Sequence, residues 1–439
     1  MSSALVRIVP PAALLLLGPA LVNGYPLVYA DTGTYLTSGF QLGIPADRPI
    51  GYGLFCRLFS GNGLSLWGVA IAQALLTATV LAHAWQVVVG RRWGLFLATT
   101  AVLSATTGLG WTTGRLLPDV FTPLAIVSTG LLVLTRLAWP WRLLHAAVLV
   151  LAGVTHFSHL VIVPATLAIA WGLHLLLLRT RPPFIGTTFA LGAVVLSVFA
   201  LAASNRWAGR GWELSRGTPL FLLGRVVDAG ALPEALARHC PTTHWSICEG
   251  PPPADSRTLL WGPDGAVTRA GGWDAYLPEA RAINDVLLED DAVRAALWRS
   301  AWRDGWMQLG RIGLDELPQP WYRKPVSPPY LAIQQFVPRE LPAYLGARQH
   351  GEGTLDLRAV NALHILVLGL SVLLLVALAI RSRAAEPRLL LLFTLLAVLF
   401  AASSCAMLSL PDQRFLARVS GLLPFAVVMV MAAKGRSAA

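Results

Sequence analysis

The chain has 439 residues, of which 55% are hydrophobic and only 13% charged, and its mean hydropathy is +0.60. A soluble domain carries about 25% charged residues, so the composition excludes an ordinary soluble globular protein. The net charge of +11 would suit a nucleic-acid binder, but the placement of the charges along the chain argues against one.

Apolar runs approaching the roughly 20 residues of a bilayer-crossing helix lie near 8–23, 64–89, 94–110, 120–135, 143–156, 160–178, 184–203, 360–380, 389–409 and 420–433. The expected fold class is therefore an all-α polytopic membrane protein with about ten spans. With the N-terminus inside, the inner side holds Arg7, Arg91, Arg92, Arg136, Arg142, Arg179, Arg181, Arg381, Arg383, Arg388, Lys434 and Arg436 against one acid, Glu386. Those are twelve of the 34 basic and one of the 23 acidic residues, so the outer side keeps 22 of each and sums to zero. The whole net charge sits inside, as the positive-inside rule requires. Both termini are expected in the cytoplasm of a bacterial inner membrane. The partner implied is membrane lipid, with no nucleic acid. The first run lacks a small-residue cleavage site and is followed by Asn23-Gly24-Tyr25-Pro26, so it reads as a retained helix rather than a signal peptide.

Three outer segments follow in chain order. The first, 24–63, carries Tyr29-Ala-Asp-Thr-Gly-Thr-Tyr35 and Ala46-Asp-Arg-Pro-Ile-Gly-Tyr52, then a mixed stretch from Gly53 to Phe59 that suits a short helix lying in the membrane interface. The second is the turn Trp111-Thr-Thr-Gly-Arg-Leu-Leu-Pro-Asp119. The third, 204–358, is too long for a connector and reads as a mostly helical extracytoplasmic domain between an N-terminal membrane module (1–203, about seven helices) and a C-terminal one (359–439, about three). Within it, 217–239 and 278–314 read as helices. Trp298, Trp302 and Trp306 recur at i, i+4 and i+8 on one helix face. That stripe suits core packing first, and an interfacial belt or a sugar-stacking surface as alternatives. Cys240 and Cys248 share this oxidising side and are expected to form a disulfide. With His239 and His244 they match no usual zinc spacing. Cys56 and Cys405 lie in apolar surroundings.

Ionisable residues beside a bilayer are costly unless they face a cavity or a partner. They gather here at the outer ends of the spans: Asp31, Asp47 and Arg48 on the first outer loop, Arg115 and Asp119 on the second, His156 and His159 between the fifth and sixth spans, and Asp412 and Arg414 on the last. A carboxylate can take a proton from an attacking hydroxyl, and arginines can hold a phosphate by two-pronged hydrogen bonds. The set suits transfer from a lipid-linked phosphate donor. The plainer reading is helix capping and salt bridging among the same residues. His156 and His159, one turn apart, suit a metal, a polar substrate contact or a plain structural role.

Asp31 soon after the first helix, Asp119 between the third and fourth, the interfacial stretch 53–59 and the late run Pro411-Asp-Gln-Arg-Phe415 together resemble the GT-C superfamily of membrane glycosyltransferases. The plan is also similar to that of further bacterial membrane proteins. Asp31 is followed by Thr32, where these enzymes more usually carry an acidic pair. The resemblance implies a polyprenyl-phosphate-linked sugar as donor and an extracytoplasmic glycan, lipid or protein as acceptor. It implies Asp31 and Asp119 as catalytic residues and a donor role for Arg414; the candidate substrate-binding set at the same outer rim is Tyr35, Asp47, Arg48, Arg115, His156, His159, Asp412 and Arg414. A divalent metal at Asp119 is compatible with it. Another envelope-polysaccharide polymerase or ligase, and a non-enzymatic assembly scaffold, are the competing expectations.

Overall fold

The computed structural model describes residues 3–351 and 354–437, with the backbone alone for Ser3 and for 434–437; Lys434 and Arg436, counted on the inner side above, have side chains outside that set. Regular structure among the described residues is helical throughout, and the one extended pairing is an isolated parallel bridge between Leu27 and Arg115. Among the described residues six helices are long and apolar enough to cross a membrane: Trp67–Val88, His159–Leu178, Phe184–Trp207, Arg358–Arg381, Ala385–Leu408 and Gln413–Ala433. Four apolar helices are shorter: Ala4–Leu16, Trp93–Thr106, Pro118–Leu134 and Trp139–Thr155.

Several runs read as single helices are broken, each for a local reason. The first divides into Ser3–Leu16 and Gly18–Asn23, with Pro19 in the opening turn of the second piece. Proline has no N–H to continue a helix and fits best in a first turn. The run 94–110 stops at Thr106; Thr107 is extended, and its hydroxyl accepts the Leu109 N–H at 3.2 Å to start Gly108–Thr113. The last run begins earlier than expected, as Gln413–Ser420, capped by Asp412.

In the 204–358 insertion, 217–239 is two helices, Thr218–Asp228 and Leu232–His239, parted by Gly230 at φ 71°. Likewise 278–314 becomes Trp273–Leu287 and Asp291–Leu309, because Asp290 accepts the Ala292 N–H at 2.8 Å and opens a new helix. The Trp298, Trp302 and Trp306 stripe shares one face, but it packs no core: the three residues are 65%, 57% and 69% exposed. The expectation of core packing is corrected here. The periodicity was the same for either fate, because spacing places side chains on a face without saying which face is inward.

The insertion does not share one core. Residues from Leu220 to Val293 pack around Leu223, Val226, Ile247, Leu259 and Ile283, with the Cys240–Cys248 disulfide at the edge of that cluster. Tyr322, Ala332, Ile333, Val337 and Tyr344 join instead the large core of the apolar helices. Leu314, Leu317, Leu355 and Leu357 close over Leu27, Trp111 and Ala417. The stretch from about 312 onward is therefore built into the apolar bundle, and it covers the segments that carry the charged residues.

Candidate functional site

Three local structures position the charged cluster. The first is the helix Ala30–Gln41, opened by a bond from the Tyr29 N–H to the Thr32 hydroxyl at 2.9 Å, which sets Asp31 in its first turn. A carboxylate there is favoured by the unsatisfied N–H groups of the helix start. That helix is held by close backbone packing: a Cβ on Gly33 would lie 2.3 Å from the Pro328 carbonyl carbon, and one on Gly39 would lie 2.0 Å from the Gly53 carbonyl oxygen. Only glycine permits either approach. The second is the turn at 114–120. The Leu27 N–H donates to the Gly114 carbonyl at 3.0 Å, the Leu116 N–H to the Leu27 carbonyl at 2.8 Å, and the Thr32 hydroxyl to the Leu116 carbonyl at 3.0 Å. These bonds lock the two segments together. The third is the helix Gln413–Ser420, whose cap Asp412 accepts the Arg414 N–H at 2.8 Å. Gln308 grips Asp412 from the insertion, accepting its N–H at 2.9 Å and donating to its carbonyl at 3.0 Å.

These supports bring residues from distant parts of the chain into one ion-paired line. Arg48 contacts Asp47 at 2.6 Å and Asp31 at 3.1 Å; Arg414 contacts Asp31 at 3.2 Å and Asp412 at 3.5 Å. Asp31 is thus bridged by two guanidinium groups. Each guanidinium lies over a tyrosine ring, Arg48 over Tyr35 at 5.1 Å and Arg414 over Tyr29 at 4.6 Å, an attraction between cation and ring face. Tyr35 therefore supports Arg48 from beneath. Burial pushes the Asp31 carboxyl upward, but Arg48 and Arg414 outweigh it and hold the group below the usual carboxylate range. In this arrangement Asp31 is ionised and a weak base.

A second pair lies deeper. Arg418, one turn after Arg414 on the same helix face, is fully buried, bonds Asp119 and reaches Cys405 Sγ at 2.8 Å. Sequence reasoning missed Arg418. The signal was present in Arg414-Phe-Leu-Ala-Arg418, an i, i+4 repeat of arginine at the mouth of an apolar run. Glu316 was also missed. Burial and a hydrogen bond with Asp412 raise its carboxyl to about 7, and nothing in its local sequence marks it.

Arg115 shares an unpartnered Nε with Arg414 and Arg418 but, unlike Arg48, Arg414 and Arg418, has no carboxylate in ion-pair contact among the described residues. It is 92% buried, and its Nε finds no hydrogen-bond partner. Among the described residues no carboxylate lies within ion-pair distance of it, although Asp119, Arg414, Tyr29 and Tyr322 act on it electrostatically. His156 is also incompletely used. The Ser158 N–H donates to its Nδ1 at 3.2 Å, so the ring is neutral with its proton on Nε2. The ring lies near enough to Asp119, Arg418 and Arg414 to feel their charges. His159 is not brought into the cluster. Its Nδ1 pairs with the Ala152 carbonyl at 2.6 Å and its Nε2 with the Thr122 hydroxyl at 2.8 Å, so both ring nitrogens serve the bundle.

Of the sequence-derived candidates, Asp31, Tyr35, Asp47, Arg48, Asp412 and Arg414 form one contact network. Asp119, Arg115 and His156 adjoin it, and His159, its ring 5.6 Å from that of His156, is within electrostatic reach of Arg418 and Asp119 but spends both ring nitrogens on Ala152 and Thr122. The donor set does not fit a resident divalent cation. Among the described residues no three His, Cys, Asp or Glu side chains gather closely enough to ligate one, and the carboxylates of Asp31 and Asp119 are taken by guanidinium groups. Comparison with family models, curated proteins and solved structures finds no match to this chain.

Proposed function

We propose that the chain is a membrane glycosyltransferase of the GT-C type, moving a sugar from a polyprenyl-phosphate donor to an extracytoplasmic acceptor. In this reading the six long and four shorter apolar helices make ten spans in a bacterial cytoplasmic membrane. Both termini are cytoplasmic, and the cluster faces the opposite side. The segregation of net positive charge to the inner loops supports that orientation.

The observation that carries the chemistry is Arg115. A buried guanidinium N–H without an acceptor is unfavourable, because the lost hydration is not replaced, and the Arg115 Nε is such a group. Burial accordingly pushes Arg115 below the usual guanidinium range, and Asp119 offsets this only in part. A phosphate oxygen would supply the missing acceptor. The Nε2–H of His156 and the guanidinium of Arg414 lie in the same neighbourhood as further donors.

The transfer would run as follows. The donor phosphate competes with Asp31 for Arg414. Losing one of its two cations raises the basicity of Asp31, so the base is armed when the donor arrives. Asp31 takes the proton of an acceptor hydroxyl, whose oxygen attacks the anomeric carbon. The bond from that carbon to the phosphate oxygen breaks, and the departing polyprenyl phosphate carries the electron pair against Arg115 and Arg414. One attack gives inversion at the sugar. Asp119 stays ionised beside Arg418 and keeps that arginine in place.

Binding of a polyprenyl phosphate to the purified protein in lipid nanodiscs tests the phosphate site. Each charge-assisted hydrogen bond is worth about 1.5–3 kcal/mol, or roughly 10- to 100-fold in affinity. Arg115→Gln is expected to weaken binding by that range. Equal affinity in wild type and Arg115→Gln would remove the phosphate role.

A further inference from the structure

The helix Asp291–Leu309 has two unlike faces. Val293, Ser300, Asp304, Gly305 and Gln308 are buried. On that side Arg225 bonds Ser300 at 3.2 Å, Asp304 at 3.0 Å and the Ser409 carbonyl. Gly305 lies so close to the end of Ala385–Leu408 that a Cβ on it would sit 2.9 Å from Met407 Cγ and 3.8 Å from Ser403 Cβ. Ser403 and Met407 are themselves half-buried. They continue the partly or fully exposed residues Leu392, Leu396 and Leu399 along one side of that apolar helix at spacings of three and four. This is the side that faces lipid if the helix crosses a membrane. The insertion's helix is therefore fixed where an exposed apolar stripe ends.

Trp298 and Trp302 stand seven and three positions before Gly305, so the exposed stripe Trp298, Trp302 and Trp306 runs along the edge of the face that meets Ala385–Leu408. Arg299 is exposed on the same side, and among the described residues it makes no ion pair, in contrast to Arg294 and Arg303 on the same helix. Three rings with an apolar body and a polar N–H, flanked by a cation and continuous with a lipid-facing stripe, match the chemistry of a headgroup layer. Tryptophan is enriched at that depth for this reason.

We propose that the face bearing Trp298, Trp302 and Trp306 is a lipid-contact surface, seating the outer insertion on the headgroup layer of an anionic bilayer. The inference needs Ala385–Leu408 to span the membrane but is independent of the transferase reading, because no residue of the charged cluster takes part. Its consequence is that the insertion is held at a fixed height and tilt over the site.

The full-length chain allows a direct test. Cys56 and Cys405 are buried, and Cys240 and Cys248 are paired, so a thiol introduced by Trp302→Cys is the one open to an environment-sensitive fluorophore. The labelled protein is placed in vesicles of phosphatidylethanolamine and phosphatidylglycerol, with Asp264→Cys as the exposed control on the insertion. Position 302 is expected to lose most of its emission to lipids carrying a nitroxide on the headgroup, and little to aqueous iodide, with the reverse at 264. If 302 behaves as 264 does, the proposal is overturned. It is equally overturned if 302 is open to iodide and becomes shielded only when a soluble glycan is added, the result a sugar-stacking platform predicts. Trp306→Cys repeats the measurement should the first variant not fold.

Discussion

Asp31 and Arg414 stand 383 positions apart in the chain and 3.2 Å apart in space. Arg414 also contacts Asp412 and lies over Tyr29, so one planar guanidinium serves three neighbours at once. A lysine ammonium in its place keeps the charge but loses the fork. Arg414→Lys is therefore expected to lower turnover of a polyprenyl-phosphate sugar by at least about tenfold while leaving the protein folded, since one charge-assisted bond is worth about 1.5–3 kcal/mol. Turnover equal to wild type would mean that the arginine acts only as a point charge.

The Arg418–Asp119 pair makes a prediction about stability. Removing one partner of a buried ion pair strands the other and typically costs about 3–5 kcal/mol, whereas replacing both by apolar residues is often neutral. Arg418→Met is expected to lower the unfolding temperature in detergent sharply, and adding Asp119→Leu is expected to restore much of the loss. Two losses that simply add would contradict the pairing.

Glu316 predicts a pH dependence. Its carboxyl sits at about 7 in the folded chain against an ordinary value of 4.5, through burial and its bond with Asp412. The folded state thus holds this proton more tightly than the unfolded state. Its contribution to stability is fully present below 4.5 and is lost as pH rises through about 7. Arg414 partly opposes the shift. Unfolding temperatures between pH 5 and pH 8 should fall with pH more steeply in wild type than in Glu316→Gln. Parallel slopes would contradict this account.

Much of this fold was legible because a bilayer makes strong demands on sequence. Apolar runs and one-sided arginines had to be present for any such helices, and the runs recur in the structure with ends shifted by a few residues. The breaks at Thr107 and Gly230 were not legible, since each rests on local caps and backbone angles rather than on hydropathy. Topology places Asp31 and Arg414 at the same ends of the spans, but neither their ion pair nor the two-sided clamp on Asp31 is legible in it. Arg48 lies beside Asp47 in sequence, and a simple neighbour pair would have satisfied it. Arg418 and Glu316 escaped because their meaning depends on partners 299 and 96 positions away, Asp119 and Asp412.

Orientation is open to reporter fusions. A reporter inserted at Gly265, in the insertion, should be active only as an extracytoplasmic enzyme, and one joined after Ala439, which lies outside the described residues, only as a cytoplasmic one. The charge distribution predicts that pattern, and a cytoplasmic signal at Gly265 would overturn the topology.

The central claim is that the cluster transfers sugar with Asp31 as base. The most direct measurement is turnover of a panel of polyprenyl-phosphate sugars by purified wild type and Asp31→Asn, followed by release of polyprenyl phosphate. Loss of a positioned general base costs about 10²- to 10⁴-fold. The account predicts release by the wild type with at least one donor, and a loss of that size in Asp31→Asn, whose unfolding temperature falls because the charge paired with Arg48 and Arg414 is gone but which stays folded at the assay temperature. Near-equal turnover in the two proteins, or no turnover by the wild type across the panel, would contradict it.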